Sequence, residues 1–140
     1  MPESISRSPP AGRSSTRWIL LVDDETAILQ MVEAVLLSQG LAVKLADGAQ
    51  AALALTSASP VPPVLMICDV IMPRTDGLTL ARQMLARLPK LKILFISGHL
   101  ADAAWWPADL SGIRLLSKPF TNAELILAVN EALAEASAVD

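Results

Sequence analysis

The chain has 140 residues, 53% hydrophobic and 18% charged, with a formal net charge of −3. This balance excludes a disordered chain and speaks against a nucleic-acid-binding surface, while no apolar run nears the ~20 residues of a membrane-spanning helix. The single cysteine and single histidine exclude a disulfide framework and any multi-Cys or His-rich metal centre, so carboxylates, hydroxyls and lysine must carry the chemistry.

Residues 1–17 are rich in Ser, Pro and Arg and have no hydrophobic period. They read as a flexible tail without the apolar segment of a secretory signal. WILLV (18–22) reads as a buried strand. Over 26–38, Ile28, Val32, Val35 and Leu36 share one helix face, and Gly40 stands where a glycine ends such a helix. LAVKLA (41–46) alternates like a half-buried strand, 48–57 is an Ala-rich helix, and SPVPP (59–63) is a turn.

VLMICDV (64–70) is an apolar strand ending in acid, and a helix over 77–88 carries Ala81, Met84, Leu85 and Leu88. LKILFIS (91–97) is a further buried strand. A short helix is expected over 100–106, ended near Pro107, then a fifth strand, IRLLS (113–117). Thr121 and Glu124 form a capping box, each side chain able to satisfy an orphan N–H. Leu125, Val129 and Leu133 then mark the core face of a last helix.

Five strands thus alternate with five helices. Strands that are apolar throughout indicate a parallel sheet covered on both faces, and right-handed crossovers make this a doubly wound α/β domain. Ligands of such sheets bind at the carboxyl ends of the strands. The polar residues fall there: Asp23 and Asp24 after the first strand, Asp69 ending the third, Ser97 the fourth, and Lys118 after the fifth.

Three carboxylates in one crevice repel one another unless a cation joins them. Mg²⁺ suits such oxygen donors, a lysine opposite neutralises an incoming phosphoryl group, and a carboxylate can itself be the nucleophile that forms an acyl phosphate. Taken singly, Asp24 reads more readily as a helix cap and Lys118 as a solvated loop residue. The conjunction of all five at one sheet edge favours the phosphate chemistry.

At these residues the sequence resembles the receiver domains of two-component response regulators. The strings that carry the resemblance are LLVDDE (20–25), CDVIMPRTDG (68–77), FISG (95–98) and SKPF (117–120), in the family's order. It implies one flavodoxin-like (βα)5 domain over residues 18–136, with strand order 2-1-3-4-5 and a short C-terminal tail at 137–140. FISG and LLSKPF (115–120) also resemble receivers attached to hybrid sensor kinases.

The resemblance implies that Asp69 is the phosphoacceptor. Asp24, Asp69 and the backbone carbonyl of Ile71 would hold Mg²⁺ or Mn²⁺, with Asp23 reaching the ion through water. Ser97 would bond the phosphoryl group, and Lys118 would pair with Asp69 at rest and with phosphoryl oxygens afterwards. The Lys118–Pro119 bond is expected to be cis. Gly98 would keep the backbone beside the phosphoryl group uncrowded, and His99 would lie next to that pocket. Gly77, after Asp76, reads as turn chemistry, and Cys68 should face the core, opposite Asp69.

The implied donor is a phosphohistidine on a histidine kinase or phosphotransfer protein. The expected role is a cytoplasmic signalling receiver that catalyses only its own phosphorylation and dephosphorylation, without direct nucleic-acid binding or membrane insertion. No helix-turn-helix, cyclase or kinase segment is visible, so output is expected through docking to a protein partner. The alternative is a phosphorylation-independent receiver-like interaction module. A phosphohydrolase is disfavoured, because no D-x-D motif follows a strand.

Two departures stand out. The family's usual aromatic three residues before the lysine is Leu115 here, and the chain has no tyrosine, so switching through ring rotation is not available in the usual form. Trp105 and Trp106 are adjacent and cannot both enter one core; they are expected either to contact a partner or to pack as a lid.

Overall fold

A computed structural model describes residues 17–70, 76–98, 108–110 and 113–139. The apolar runs form strands β1 (Ile19–Val22), β3 (Leu65–Asp69) and β4 (Lys92–Ser97), buried except at Lys92. The more alternating runs form β2 (Val43–Ala46) and β5 (Arg114–Ser117). All pairings are parallel, in the order β2-β1-β3-β4-β5. The alternating strands are therefore the two edges, where one flank lacks a neighbouring strand to cover it.

Four helices are described: α1 (Thr26–Ser38), α2 (Ala49–Ala58), α3 (Gly77–Arg87) and α4 (Asn122–Val139). The strand period of two sends alternate side chains to opposite faces. Leu20, Val22, Met66, Cys68 and Phe95 pack with Ala52 of α2 and Leu80, Ala81 and Met84 of α3. Ile19, Leu21, Ile67, Leu94 and Ile96 pack with Val32 and Leu36 of α1 and Leu125 and Val129 of α4. Helices thus cover both faces, which is the doubly wound, flavodoxin-like architecture. Each fully buried leucine contributes roughly 1.5–3 kcal/mol.

The helix ends follow local chemistry. Gly40, at φ 77°, lets α1 close with Gly40 N–H on the Leu37 carbonyl and Leu41 N–H on the Leu36 carbonyl, a Schellman motif. At α4, Glu124 N–H donates to Thr121 Oγ1 at 3.0 Å and Thr121 N–H to Glu124 Oε1 at 2.8 Å. Asp76 caps α3 by accepting from Thr79 N–H at 2.6 Å. The indole of Trp18 donates to the Val61 carbonyl at 2.7 Å, tying the 59–63 turn to the start of β1.

Three sequence readings are adjusted. Leu29, not Ile28, is the first buried residue of α1. The α1 cap position belongs to Glu25, whose side chain makes no capping bond, so Asp24 is not that helix's cap. Helix α4 continues to Val139, into the 137–140 stretch read from sequence as a tail. The expected helix over 100–106 and Pro107 lie outside the described residues, as do residues 1–16 of the tail. Beyond that gap a 3-10 turn (Ala108–Leu110) is held by buried Leu110 and by Asp109, which pairs with Arg82 of α3 at 2.8 Å. No helix among the described residues is long and apolar enough to cross a membrane.

Candidate functional site

The register sets the site. Val22 lies level with Cys68, Cys68 with Phe95, and Phe95 with Leu115. The residues that follow in each strand therefore emerge together at the carboxyl edge. Backbone bonds fix this rim: Asp23 N–H donates to the Ala46 carbonyl at 3.1 Å, Val70 N–H to Ile96 at 3.1 Å, and Lys118 N–H to Ser97 at 2.9 Å. The Lys118–Pro119 bond is cis.

One carboxylate oxygen from each of Asp23, Asp24 and Asp69 lies within 4.8 Å of the others. Asp23 and Asp69 are buried, whereas Asp24 is exposed. At an effective dielectric of about 20, two such carboxylates repel by ~3 kcal/mol. Burial, reinforced by the charges of Asp69 and Asp24, raises the Asp23 pKa from 3.8 to about 6, against the opposing pull of the Glu25 N–H and Lys118. Asp23 Oδ1 accepts that N–H at 2.9 Å.

Lys118 faces the cluster. Its Nζ stands 3.7 Å from Asp69 Oδ2 and 3.5 Å from Glu25 Oε1. Buried Ser97 ends β4 on the same rim. The five residues singled out by sequence are thus gathered at one edge. The donor set fits a hard divalent cation: three carboxylates, no nitrogen or sulfur, and an electrostatic strain that positive charge relieves.

Two participants carry no clear sequence signal. Glu25 reaches Lys118 across the chain, and only the folded register shows it. Gly77 is more than a turn residue. A Cβ there would run into the Asp69 carbonyl oxygen and lie 3.0 Å from Val70 Cα, and its N–H donates to the Val70 carbonyl at 2.6 Å. The absent side chain lets α3 start directly against the backbone of β3. At Gly98 a Cβ would make only ordinary contact with the Lys118 stem, at 3.8 Å, so no described residue crowds that position.

Cys68 is fully buried on the core side, as the strand alternation requires. Burial first, then the neighbouring carboxylates, push its thiol pKa far up, which leaves it unreactive. Leu115 is 39% exposed on edge strand β5. Ile71, His99, Trp105 and Trp106 lie outside the described residues.

A parallel α/β domain with an acidic trio and a lysine at its carboxyl rim is the arrangement that the resemblance to signalling receivers leads one to expect. The response regulator receiver domain family matches residues 19–130, and the chain belongs to that family. It is 34% identical over 122 residues to the sensor kinase CckA of Brucella abortus, covering 86% of this chain and 13% of that protein. It is 31% identical over 118 residues to the DNA-binding transcriptional regulator NtrC of Escherichia coli K12, covering 83% of this chain and 24% of that protein. The chain therefore spans only a small part of these relatives.

Among solved structures, the NtrX receiver domain of Brucella abortus superposes with a TM-score of 0.75 at 33% identity, covering 83% of this chain and 98% of that one. A response regulator receiver domain protein of Clostridium thermocellum gives 0.78 at 25% identity, covering 89% and 99%.

Proposed function

We propose that this receiver domain accepts a phosphoryl group on Asp69 from a phosphohistidine donor, with a divalent cation, and signals by docking to a protein partner. The supporting observation is the convergence of Asp23, Asp24 and Asp69 within 4.8 Å opposite a lysine 3.7 Å from Asp69. A bare protein-interaction module has no need to keep two buried acids beside each other.

Asp24 and Asp69 would hold Mg²⁺ or Mn²⁺, with Asp23 reaching the ion through water and the Ile71 carbonyl as the further ligand the family resemblance implies. When bound, the ion supplies positive charge against the acids and the phosphoryl oxygens. The protein's own part is positioning and electrostatics. A carboxylate oxygen of Asp69 attacks phosphorus in line, the P–N bond to the donor imidazole breaks, and the imidazole leaves with its electron pair and takes up a proton. Lys118 moves its ammonium from the carboxylates to the phosphoryl oxygens, and the Ser97 hydroxyl donates to another. Attack of water on the acyl phosphate later returns inorganic phosphate and free Asp69.

The donor would be a histidine kinase or histidine phosphotransfer protein, met in the cytoplasm. Residues 18–136 would be the receiving unit. The test is intact-mass measurement after incubation with acetyl phosphate and Mg²⁺. A gain of one phosphoryl mass in the wild type, lost in Asp69→Asn, is the expected result. No gain in the wild type, with unimpaired partner binding, favours the phosphorylation-independent module.

A further inference from the structure

We propose that Glu25 is a positioning residue that competes with the phosphoryl site for Lys118. The inference rests on the phosphoacceptor reading above and goes beyond it, because it assigns a tuning role to a residue outside the acidic trio.

The geometry has three parts. Lys118 Nζ is shared, at 3.5 Å from Glu25 Oε1 and 3.7 Å from Asp69 Oδ2. Both distances exceed the ≈ 2.7–2.9 Å of a tight ammonium–carboxylate bond, so neither acid holds the lysine alone. The Glu25 backbone is also tied into the site, its N–H donating to Asp23 Oδ1 at 2.9 Å. Finally, its carboxylate is not engaged at the helix end. Glu25 occupies the α1 cap position with extended backbone and makes no side-chain capping bond. A residue that could cap its own helix instead lends its carboxylate to a lysine 93 positions away.

The consequence follows from charge. An incoming phosphoryl group must draw Lys118 away from both carboxylates. Glu25 opposes that movement and keeps pulling on the ammonium once the phosphoryl group is present. Removing the contact should make the lysine fully available and strengthen the phosphorylated state. The side chain is 60% exposed, so the effect is that of a solvent-screened pair, about two- to five-fold.

The test uses beryllofluoride, a phosphoryl mimic, with the full chain at saturating Mg²⁺. Glu25→Gln should bind it about two- to five-fold more tightly than wild type. Glu25→Asp separates contact from charge. It keeps the negative charge, but its shorter side chain falls short of Lys118 and suits the α1 cap, so it should bind beryllofluoride with an affinity between those of wild type and Glu25→Gln. A Glu25→Asp protein that matches wild type would show that charge alone matters and overturn the proposal.

In the metal-free protein, the Lys118 side-chain nitrogen resonance should shift in both variants; an unmoved resonance would contradict the shared geometry. No beryllofluoride binding by wild type would overturn the phosphoacceptor reading and this inference with it. Binding that is unchanged in Glu25→Gln would overturn this inference alone.

Discussion

Gly77 presses against the backbone of Asp69 so closely that a Cβ on it would collide with the Asp69 carbonyl oxygen. The obstacle is backbone on both sides, so no side chain can rotate out of the way. Gly77→Ala should therefore displace the start of α3 from β3. A loss of about 1–3 kcal/mol in urea unfolding is expected, with slower phosphorylation by acetyl phosphate because the acceptor's own backbone moves. Wild-type stability in this variant would contradict the packing described.

The Asp23 carboxyl titrates near pH 6 in the folded protein and near 3.8 unfolded. Between those values the folded state binds the extra proton, so metal-free stability falls as pH rises through that window and levels off above about 6. Asp23→Asn should raise metal-free stability at pH 8 by about 1–2 kcal/mol and flatten this dependence. Thermal unfolding across pH in chelator checks both.

Mg²⁺ binding requires the ionised carboxylate. Its affinity should weaken as pH drops through about 6, and binding near pH 5.5 should release protons. Calorimetry in buffers of different ionisation enthalpy measures that release, which Asp23→Asn should remove.

Leu115 occupies the half-exposed position of β5 next to Phe95 in register. A leucine has no ring to swing between an inward and an outward pose. Chemical-shift changes on β5 upon beryllofluoride binding are expected to be smaller in wild type than in Leu115→Phe. Equal changes would show that the switch does not depend on an aromatic here.

Much of this was legible from residues 18–136, because burial and period speak directly in sequence. Apolar strands such as 64–70 announce a covered sheet, and acids at their ends announce the rim. The Thr121–Glu124 capping box was readable because both partners lie within one turn; Thr121→Ala should cost about 1 kcal/mol in chemical denaturation. Glu25 and Gly77 were not readable in these roles. The Glu25 contact joins residues 93 apart, and the Gly77 requirement is a backbone approach that leaves no mark beyond a glycine after an aspartate. Taken singly, Asp24 reads as a cap for the same reason, and only its conjunction with the other acids points to the crevice: whether an acid turns to its helix or to the crevice depends on tertiary neighbours.

The most direct measurement of the central claim is borohydride trapping of the acyl phosphate after incubation with acetyl phosphate, followed by tandem mass spectrometry. Homoserine at position 69, formed with Mg²⁺ and absent when the ion is chelated, is the expected result. Homoserine at another aspartate, or none under either condition, would contradict the assignment of Asp69 as the acceptor.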